Sequence, residues 1–255
     1  DMTDQKSNQS QPASVTLEGA YEIPSIEHPL REAARMFARN KAALGGLILL
    51  VGILILTLVV PFFYTVDPFD LVWAPLSPPG TENVPFGTDY LGRDILAGII
   101  HGGSATLAVG ASAALLAVVI GLSVGSLAGY YGGWVDEVLM RITEFFQVLP
   151  TLLFAMVIVA LFQPSVATVA FAIGVVSWTA VARLARSEFL RIRALDYVKA
   201  ARSISSSNSR VIWYVILPNA MPPLVVQATL AVGGAILFEA GLSFLGLADP
   251  NVMSW

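Results

Sequence analysis

Charge is what this sequence has least of. Only 13% of its 255 residues are Asp, Glu, Lys or Arg, while 56% are hydrophobic. A soluble domain usually carries about 25% charged residues. A surface facing water cannot be built from so few, so lipid must cover much of this chain. Cysteine is absent altogether, which excludes a disulfide framework, a thiolate metal site and a cysteine nucleophile. Histidine is nearly absent. His28 and His101 stand far apart in sequence, with no carboxylate at metal-ligand spacing, which argues against a zinc site. The net charge of −4 decides little, because in a membrane protein the placement of charge matters more than its sum.

What is present is long apolar runs. A helix needs about 20 apolar residues to cross the hydrocarbon core. The gaps between charges locate five candidates. Lys41 to Asp67 encloses the first, centred on Leu44 to Phe63. Asp94 to Asp136 encloses the second, where His101-Gly102-Gly103-Ser104 and Gly129-Tyr130-Tyr131-Gly132-Gly133 read as breaks around a span from Ala105 to Ala128. Glu144 to Arg183 holds a third and a fourth, divided by a turn at Phe162-Gln163-Pro164-Ser165. The fifth lies between Arg210 and Glu239. The fold class is therefore all-α, a polytopic transmembrane helix bundle.

Residues 1–25 are polar and rich in Ser, Gln and Asn, and read as a disordered tail. In 26–41, Pro29 suits a first helical turn, and Leu30, Ala33, Ala34 and Phe37 share a face. That segment reads as an interfacial helix leading into the membrane, or as an extension of the first span. The transmembrane domain then occupies 42–255. Lys and Arg set its orientation. Five precede the first span, only Arg93 lies between the first and second, Arg141 follows the second, and seven lie between the fourth and fifth. With the N-terminus cytoplasmic, one of the 14 basic residues falls outside. Residues 64–94 are then an external loop and 183–217 a cytoplasmic excursion.

Ionisable residues inside a membrane mark ion paths or proton relays. The cores of the five expected spans have none, Glu239 at the outer end of the fifth coming nearest. This counts against a proton-coupled carrier, a voltage sensor and an intramembrane hydrolase. Small residues stand there instead. Gly121, Gly125 and Gly129 form a small-xxx-small stripe suited to close helix packing, either within this chain or against a second membrane subunit. A transporter without a coupling residue in its spans must receive its energy elsewhere, and the large cytoplasmic segment is the obvious place. There Asp196 can cap a helix from Tyr197, and Ser207 or Asn208 can cap the next. Two short helices meeting at a turn suit a knob pressed into a groove on a partner. A basic loop held by anionic lipid headgroups is the alternative.

Tyr197-Val198-Lys199-Ala200-Ala201-Arg202, followed by Ile216-Leu217-Pro218-Asn219, resembles the EAA loop of ATP-binding-cassette importer permeases. More narrowly, the chain resembles the second permease subunit of dipeptide, oligopeptide and nickel importers. Four further stretches carry that likeness: Arg39-Asn40-Lys41-Ala42-Ala43; Phe86-Gly87-Thr88-Asp89-Tyr90-Leu91-Gly92-Arg93-Asp94; Gly129 to Asp136; and Leu242-Ser243-Phe244-Leu245-Gly246-Leu247. The resemblance runs from about residue 30 to the end.

It implies a type I importer permease fold in a bacterial cytoplasmic membrane. It also implies a homologous second permease, two cytoplasmic ATP-binding-cassette ATPases, an external substrate-binding protein, and no nucleic acid. Tyr197, Val198, Lys199, Ala200, Ala201, Arg202, Ser205 and Ser206 would form the knob that docks into the ATPase. ATP and Mg would be held by those partners and no cofactor by this chain, which has no Gly-rich phosphate loop ending in Gly-Lys-Ser/Thr. The cargo implied is a di- or oligopeptide, with nickel or a metal chelate as the alternative within the family. A channel or scaffold needing no ATPase is the alternative outside it. Ser205 stands where the family usually has Gly, which would cost about 1 kcal/mol if the turn needs positive φ. Lys199 stands where the motif has Glu. The family usually has six spans, so a sixth is expected beyond Trp255.

Overall fold

The computed structural model describes residues 35–204 and 207–255. The expected tail, 1–25, and the first part of the expected interfacial helix lie outside the described residues. Residues 35–39 are helical and exposed, and Asn40 interrupts the helix. Its Oδ1 accepts from the N–H groups of Ala42 and Ala43 at 3.1 and 3.2 Å. This side-chain cap satisfies donors that a helix start leaves orphaned. It opens α1, Lys41–Leu58. A 3-10 turn, Val60–Phe62, follows with Pro61 in its first turn.

Within the compact unit of residues 52–255, α2 spans Ile95–Tyr131, capped by Asp94, whose side chain accepts from Leu96 N–H. The helix starts ten residues before the expected Ala105 and runs straight through His101-Gly102-Gly103-Ser104. Those glycines are not breakers. A Cβ on Gly103 would lie 2.2 Å from Thr57 Cγ2 and 2.4 Å from the Trp255 ring. Glycine is there because other side chains press on the helix. The break at the far end does occur, where Gly132 and Gly133 take φ of +66° and +53°, a region open to glycine at little cost.

The third span, sought between Glu144 and the turn at Phe162, starts earlier and is broken. It is α3, Gly133–Val148, and α4, Thr151–Leu161, bent by 87°. Pro150 accounts for the bend. Proline disfavours helical geometry in the residue before it, and Leu149 is extended at φ −70°, ψ 133°. The turn at 162–165 stands where the sequence placed it. Ser165 then caps α5, Val166–Arg193.

After α5 comes α6, Asp196–Ser203, and then α7, Asn208–Phe244. The start of α7 is π-helical over Val211–Ile216. Pro218, Pro222 and Pro223 follow, three residues that cannot donate a backbone hydrogen bond. Asn219 Nδ2 donates to the Val215 carbonyl at 2.7 Å, a side-chain bond in the same stretch.

Glycine contacts give the relative direction of the long helices. Gly121 faces Trp178 and Val181, Gly125 faces Ala182 and Ala185, and Gly129 faces Arg186 and Phe189. Both sets of numbers rise together, so α2 and α5 are parallel. Thr106 meets Glu239, Gly110 meets Val232 and Ile236, and Tyr130 meets Asn208, so α7 is antiparallel to both. Two parallel spans require the chain between them to return across the membrane. The bent pair α3–α4 therefore makes one crossing, which brings the candidate spans among the described residues to five. At 1.5 Å per residue, α2 and α7, each 37 residues, are about 55 Å long. That exceeds the roughly 30 Å hydrocarbon core, so both project beyond it.

Small and β-branched side chains fill the interior: Val109, Ala113, Ala155, Val159, Ala172 and Ile173 among them. Large apolar side chains remain outside, including Leu230, Leu237 and Phe244 on α7. This inversion suits a lipid-facing surface.

Candidate functional site

The sequence singled out the knob after α5, and it is built from one buried anchor beneath an exposed cap. α6 is a two-turn helix whose N-cap is Leu195 with no side-chain bond. The expectation that Asp196 caps it is therefore corrected. Asp196 lies inside the first turn, and Lys199 Nζ donates to it at 2.9 Å. A carboxylate in the first turn still suits the positive end of the helix dipole. Ser207 caps the following turn, accepting from Arg210 N–H.

Of the named knob residues, Val198 is fully buried. It packs in one cluster with Phe189 and Ile192 of α5 and Val211 and Ile216 of α7. Tyr197, Lys199, Ala200 and Arg202 are exposed, and Ala201 is half-buried. Ile204 is 78% exposed, an apolar side chain that the described residues leave uncovered. Ser205 and Ser206 lie outside the described residues.

Tyr130, the penultimate residue of α2, sits under the knob and is buried. Its hydroxyl donates to Asn208 Oδ1 at 2.7 Å. The Arg202 guanidinium lies 4.5 Å from its ring centroid, within cation–π range. Arg193 Nη1 donates to the Tyr130 carbonyl at 2.7 Å and reaches the Gly129 carbonyl at 3.4 Å. A cation there meets the negative end of α2 and its unpaired carbonyls. Sequence reasoning quoted Tyr130 only within a motif and gave Arg193 and Asn208 no joint role. Their separations of 63 and 78 residues leave no local pattern to read.

The same end of the bundle holds an ion pair between Arg186 of α5 and Asp136 of α3. Arg186 Nε donates to Asp136 Oδ1, and Nη2 to Oδ2 at 2.6 Å, a bidentate fork of the stronger kind. Arg183 Nη1 donates to Gln147 Oε1 at 3.1 Å. These bonds fix Arg183 and Arg186 of α5 against α3.

Gly121, Gly125 and Gly129 all face α5 of the same chain. A Cβ on Gly125 would stand 2.2 Å from the Ala182 carbonyl oxygen. Of the two readings of the stripe, the geometry accounts for packing within the chain.

At the opposite end of α2, residues 64–94 fold on themselves. Thr88 Oγ1 donates to the Ala74 carbonyl at 2.6 Å and accepts from Ser77 N–H at 2.9 Å. Gly87 and Gly92 have φ of +79° and +87°, with the carbonyl oxygens of Ser77 and Trp73 where a Cβ would be. Asp89, Arg93 and Asp94 stand close in sequence, yet among the described residues Arg93 forms no ion pair with either carboxylate. Asp89 Oδ1 accepts from the backbone N–H groups of Leu91 and Arg93 at 2.8 and 2.9 Å. Asp94 caps α2 and accepts from the Tyr64 hydroxyl. Backbone donors and a phenol claim the carboxylates, and Arg93 instead lies 5.5 Å from the Phe69 ring centroid. Burial first, then the bond to Asp94 and its charge, push the Tyr64 phenol up to about 12.

Glu239, placed by the sequence at the outer end of the fifth span, lies in the last part of α7, which ends at Phe244, and is only 3% exposed. Thr106 Oγ1 donates to it at 3.3 Å. Among the described residues, no group of three His, Asp or Glu stands close enough to hold a metal ion.

Residues 117–252 match the family described as binding-protein-dependent transport system inner membrane component. Residues 28–79 match the N-terminal TM domain of oligopeptide transport permease C. Individual relatives agree. The chain is 36% identical over 233 residues to the dipeptide transport system permease protein DppC of Alkalihalophilus pseudofirmus, covering 89% of this chain and 75% of that one. It is 37% identical over 244 residues to the di/tripeptide transport system permease protein DppC of Pseudomonas aeruginosa, covering 91% and 80%. It is 37% identical over 226 residues to the oligopeptide transport system permease protein OppC of Haemophilus influenzae, covering 88% and 73%.

Proposed function

This chain belongs to the family of binding-protein-dependent transport system inner membrane components, and from that premise we propose that it is a peptide-translocating permease subunit driven by partner ATPases. The relatives named above carry dipeptide, di/tripeptide and oligopeptide permease names, which supports a peptide cargo. The observation that carries the coupling role is the knob itself. Val198 fixes α6 to α5 and α7 by burial, while Tyr197, Lys199, Ala200 and Ile204 are left exposed. A cap held rigidly yet left uncovered suits insertion into a groove on a cytoplasmic ATPase.

In this reading the N-terminus is cytoplasmic, since that places one of the 14 basic residues outside. The knob and the Arg186–Asp136 pair then face the cytoplasm, and the folded loop of 64–94 faces a binding protein outside. A homologous permease covers part of the exposed apolar surface of α7, and lipid covers the rest. Two ATPases hold ATP and Mg. Their closure displaces both knobs, and each knob carries its helices with it.

Ala200→Trp tests this on the exposed face of α6. The position is solvent-facing, so the variant folds. Expected is loss of ATPase co-purification together with loss of peptide uptake. Retention of both would sink the docking role.

A further inference from the structure

The contacts around Tyr130 join four pieces of chain that are distant in sequence. Tyr130 is the penultimate residue of α2. Arg193 ends α5 and reaches the carbonyls of Gly129 and Tyr130. Arg202, in the last turn of α6, covers the Tyr130 ring at 4.5 Å. Asn208, the first residue of α7, accepts from the Tyr130 hydroxyl at 2.7 Å. Arg202 and Asn208 flank the tip of the knob on its two sides. One aromatic side chain therefore holds both limbs of the knob. Gly132 makes this closure possible: with φ +66° it turns the chain, and a Cβ there would lie 2.9 Å from Arg193 Nη1.

The rest of α2 is in a position to pass movement on. Gly121, Gly125 and Gly129 put its backbone in direct contact with α5. Interfaces packed that closely move as units because they have no slack to absorb a shift. Val198 supplies a second attachment of the knob, but to α5 and α7 through apolar packing. Its non-directional contacts set position without fixing angle. The hydroxyl bond and the stacked guanidinium at Tyr130 are directional, so they also resist rotation of α6.

We infer that Tyr130 is the positioning residue through which displacement of the knob is delivered to α2, and that its hydroxyl and ring act separately on the Asn208 and Arg202 limbs. This rests on the coupling role proposed above. Loss of Tyr130 removes no contact of Tyr197, Lys199 or Ala200 on the exposed docking face, so the ATPase still binds and still hydrolyses ATP. What is lost is the conversion of that hydrolysis into movement of the spans.

The test uses the complete transporter, with its second permease, both ATPases and the binding protein, in proteoliposomes supplied with radiolabelled trialanine. The readout is ATP hydrolysed per peptide imported, normalised to assembled complex. Tyr130→Ala is expected to leave ATPase co-purification intact and raise ATP per peptide by about tenfold, from loss of both the hydrogen bond and the cation–π contact. Tyr130→Phe keeps the ring and is expected to raise it by about fivefold, the size of one lost hydrogen bond. Asn208→Ala is expected to match it, with the double variant no worse than either single, because both remove the same bond. If Tyr130→Ala does not assemble, Tyr130→Phe and Asn208→Ala decide the matter alone. A residue that merely supports the fold would lower uptake and ATP turnover together at a constant ratio, and that result would overturn the inference. Full assembly and uptake in the Ala200→Trp variant would remove the coupling role itself, and the inference with it. An unchanged ratio in the Tyr130 variants, with coupling lost in the Ala200→Trp variant, removes only the inference.

Discussion

α2 and α7 each run for 37 residues, and both carry glycine along their length, yet the glycines do opposite things. Gly121, Gly125 and Gly129 of α2 lie against backbone and Cβ atoms of α5. Gly233, Gly234 and Gly241 of α7 meet nothing within 4 Å among the described residues. α2 is fastened at both ends as well, by Asp94 at its start and by Arg193 at its finish. α7 begins in a π-helical stretch, holds three prolines, and leaves Val226, Leu230 and Leu237 exposed. One helix is a fixed beam inside this chain. The other offers a face that the described residues do not cover. Small residues alone do not distinguish these cases; what lies opposite them does.

The sharpest way to break that contrast is Gly125→Leu. Its Cβ would meet the Ala182 carbonyl oxygen at 2.2 Å, and backbone cannot step aside as a side chain can. Overpacking typically costs about 1–3 kcal/mol and more where strain is rigid. Thermal unfolding of the purified complex in detergent should show the folded state largely lost. Asp136→Ala is expected next in size. It removes both acceptors of the Arg186 fork and leaves a half-buried guanidinium unpaired, at about 1–3 kcal/mol. A chemical-denaturation midpoint reads it, and an unchanged midpoint would mean that the pair is idle.

The start of α2 gives a smaller and pH-dependent effect. Tyr64 donates to Asp94, and its phenol is pushed up to about 12 from 10.0. A raised value means that the folded state favours the neutral phenol. The contribution is then fully present below pH 10 and is lost as pH rises through about 12. Between pH 7 and pH 9 (roughly, from the same linkage) the stability of the wild type and of Tyr64→Phe should run parallel. Their difference should close at higher pH, as followed by tryptophan fluorescence from Trp73. The smallest effect is expected at Gly234→Ala on α7. With open space at the site, alanine should stabilise the helix by about 0.5–1 kcal/mol. A large loss of assembly with the second permease, at unchanged stability of this chain, would show that the open face of α7 is covered by that partner.

Much of the bundle could be read from composition and spacing. Charge gaps located the apolar segments, the Phe162 to Ser165 turn stands as expected, and Ser207 caps where a cap was sought. The misreadings share a cause. Gly102 and Gly103 resemble a helix break only if nothing presses on them, and Thr57 and Trp255 do. Asp89 and Asp94 resemble ion-pair partners for Arg93, but backbone N–H groups lie nearer. The kink before Thr151 had a local signal in Leu149-Pro150 that a hydropathy reading passes over. For the knob, sequence picked out the exposed residues of α6 but not their support, since Tyr130 reaches Asn208 from 78 positions away.

By itself the sequence determined that this is a helical membrane protein, where its apolar segments lie, and where its basic residues gather. Those follow from the free energy of apolar and charged groups in lipid, which is local to each segment. Only the tertiary structure decided that α2 and α5 run parallel, that the glycine stripe is consumed within the chain, and that Tyr130 sits beneath the knob. Those depend on which surfaces meet, and a contact between residues far apart leaves no periodicity in either.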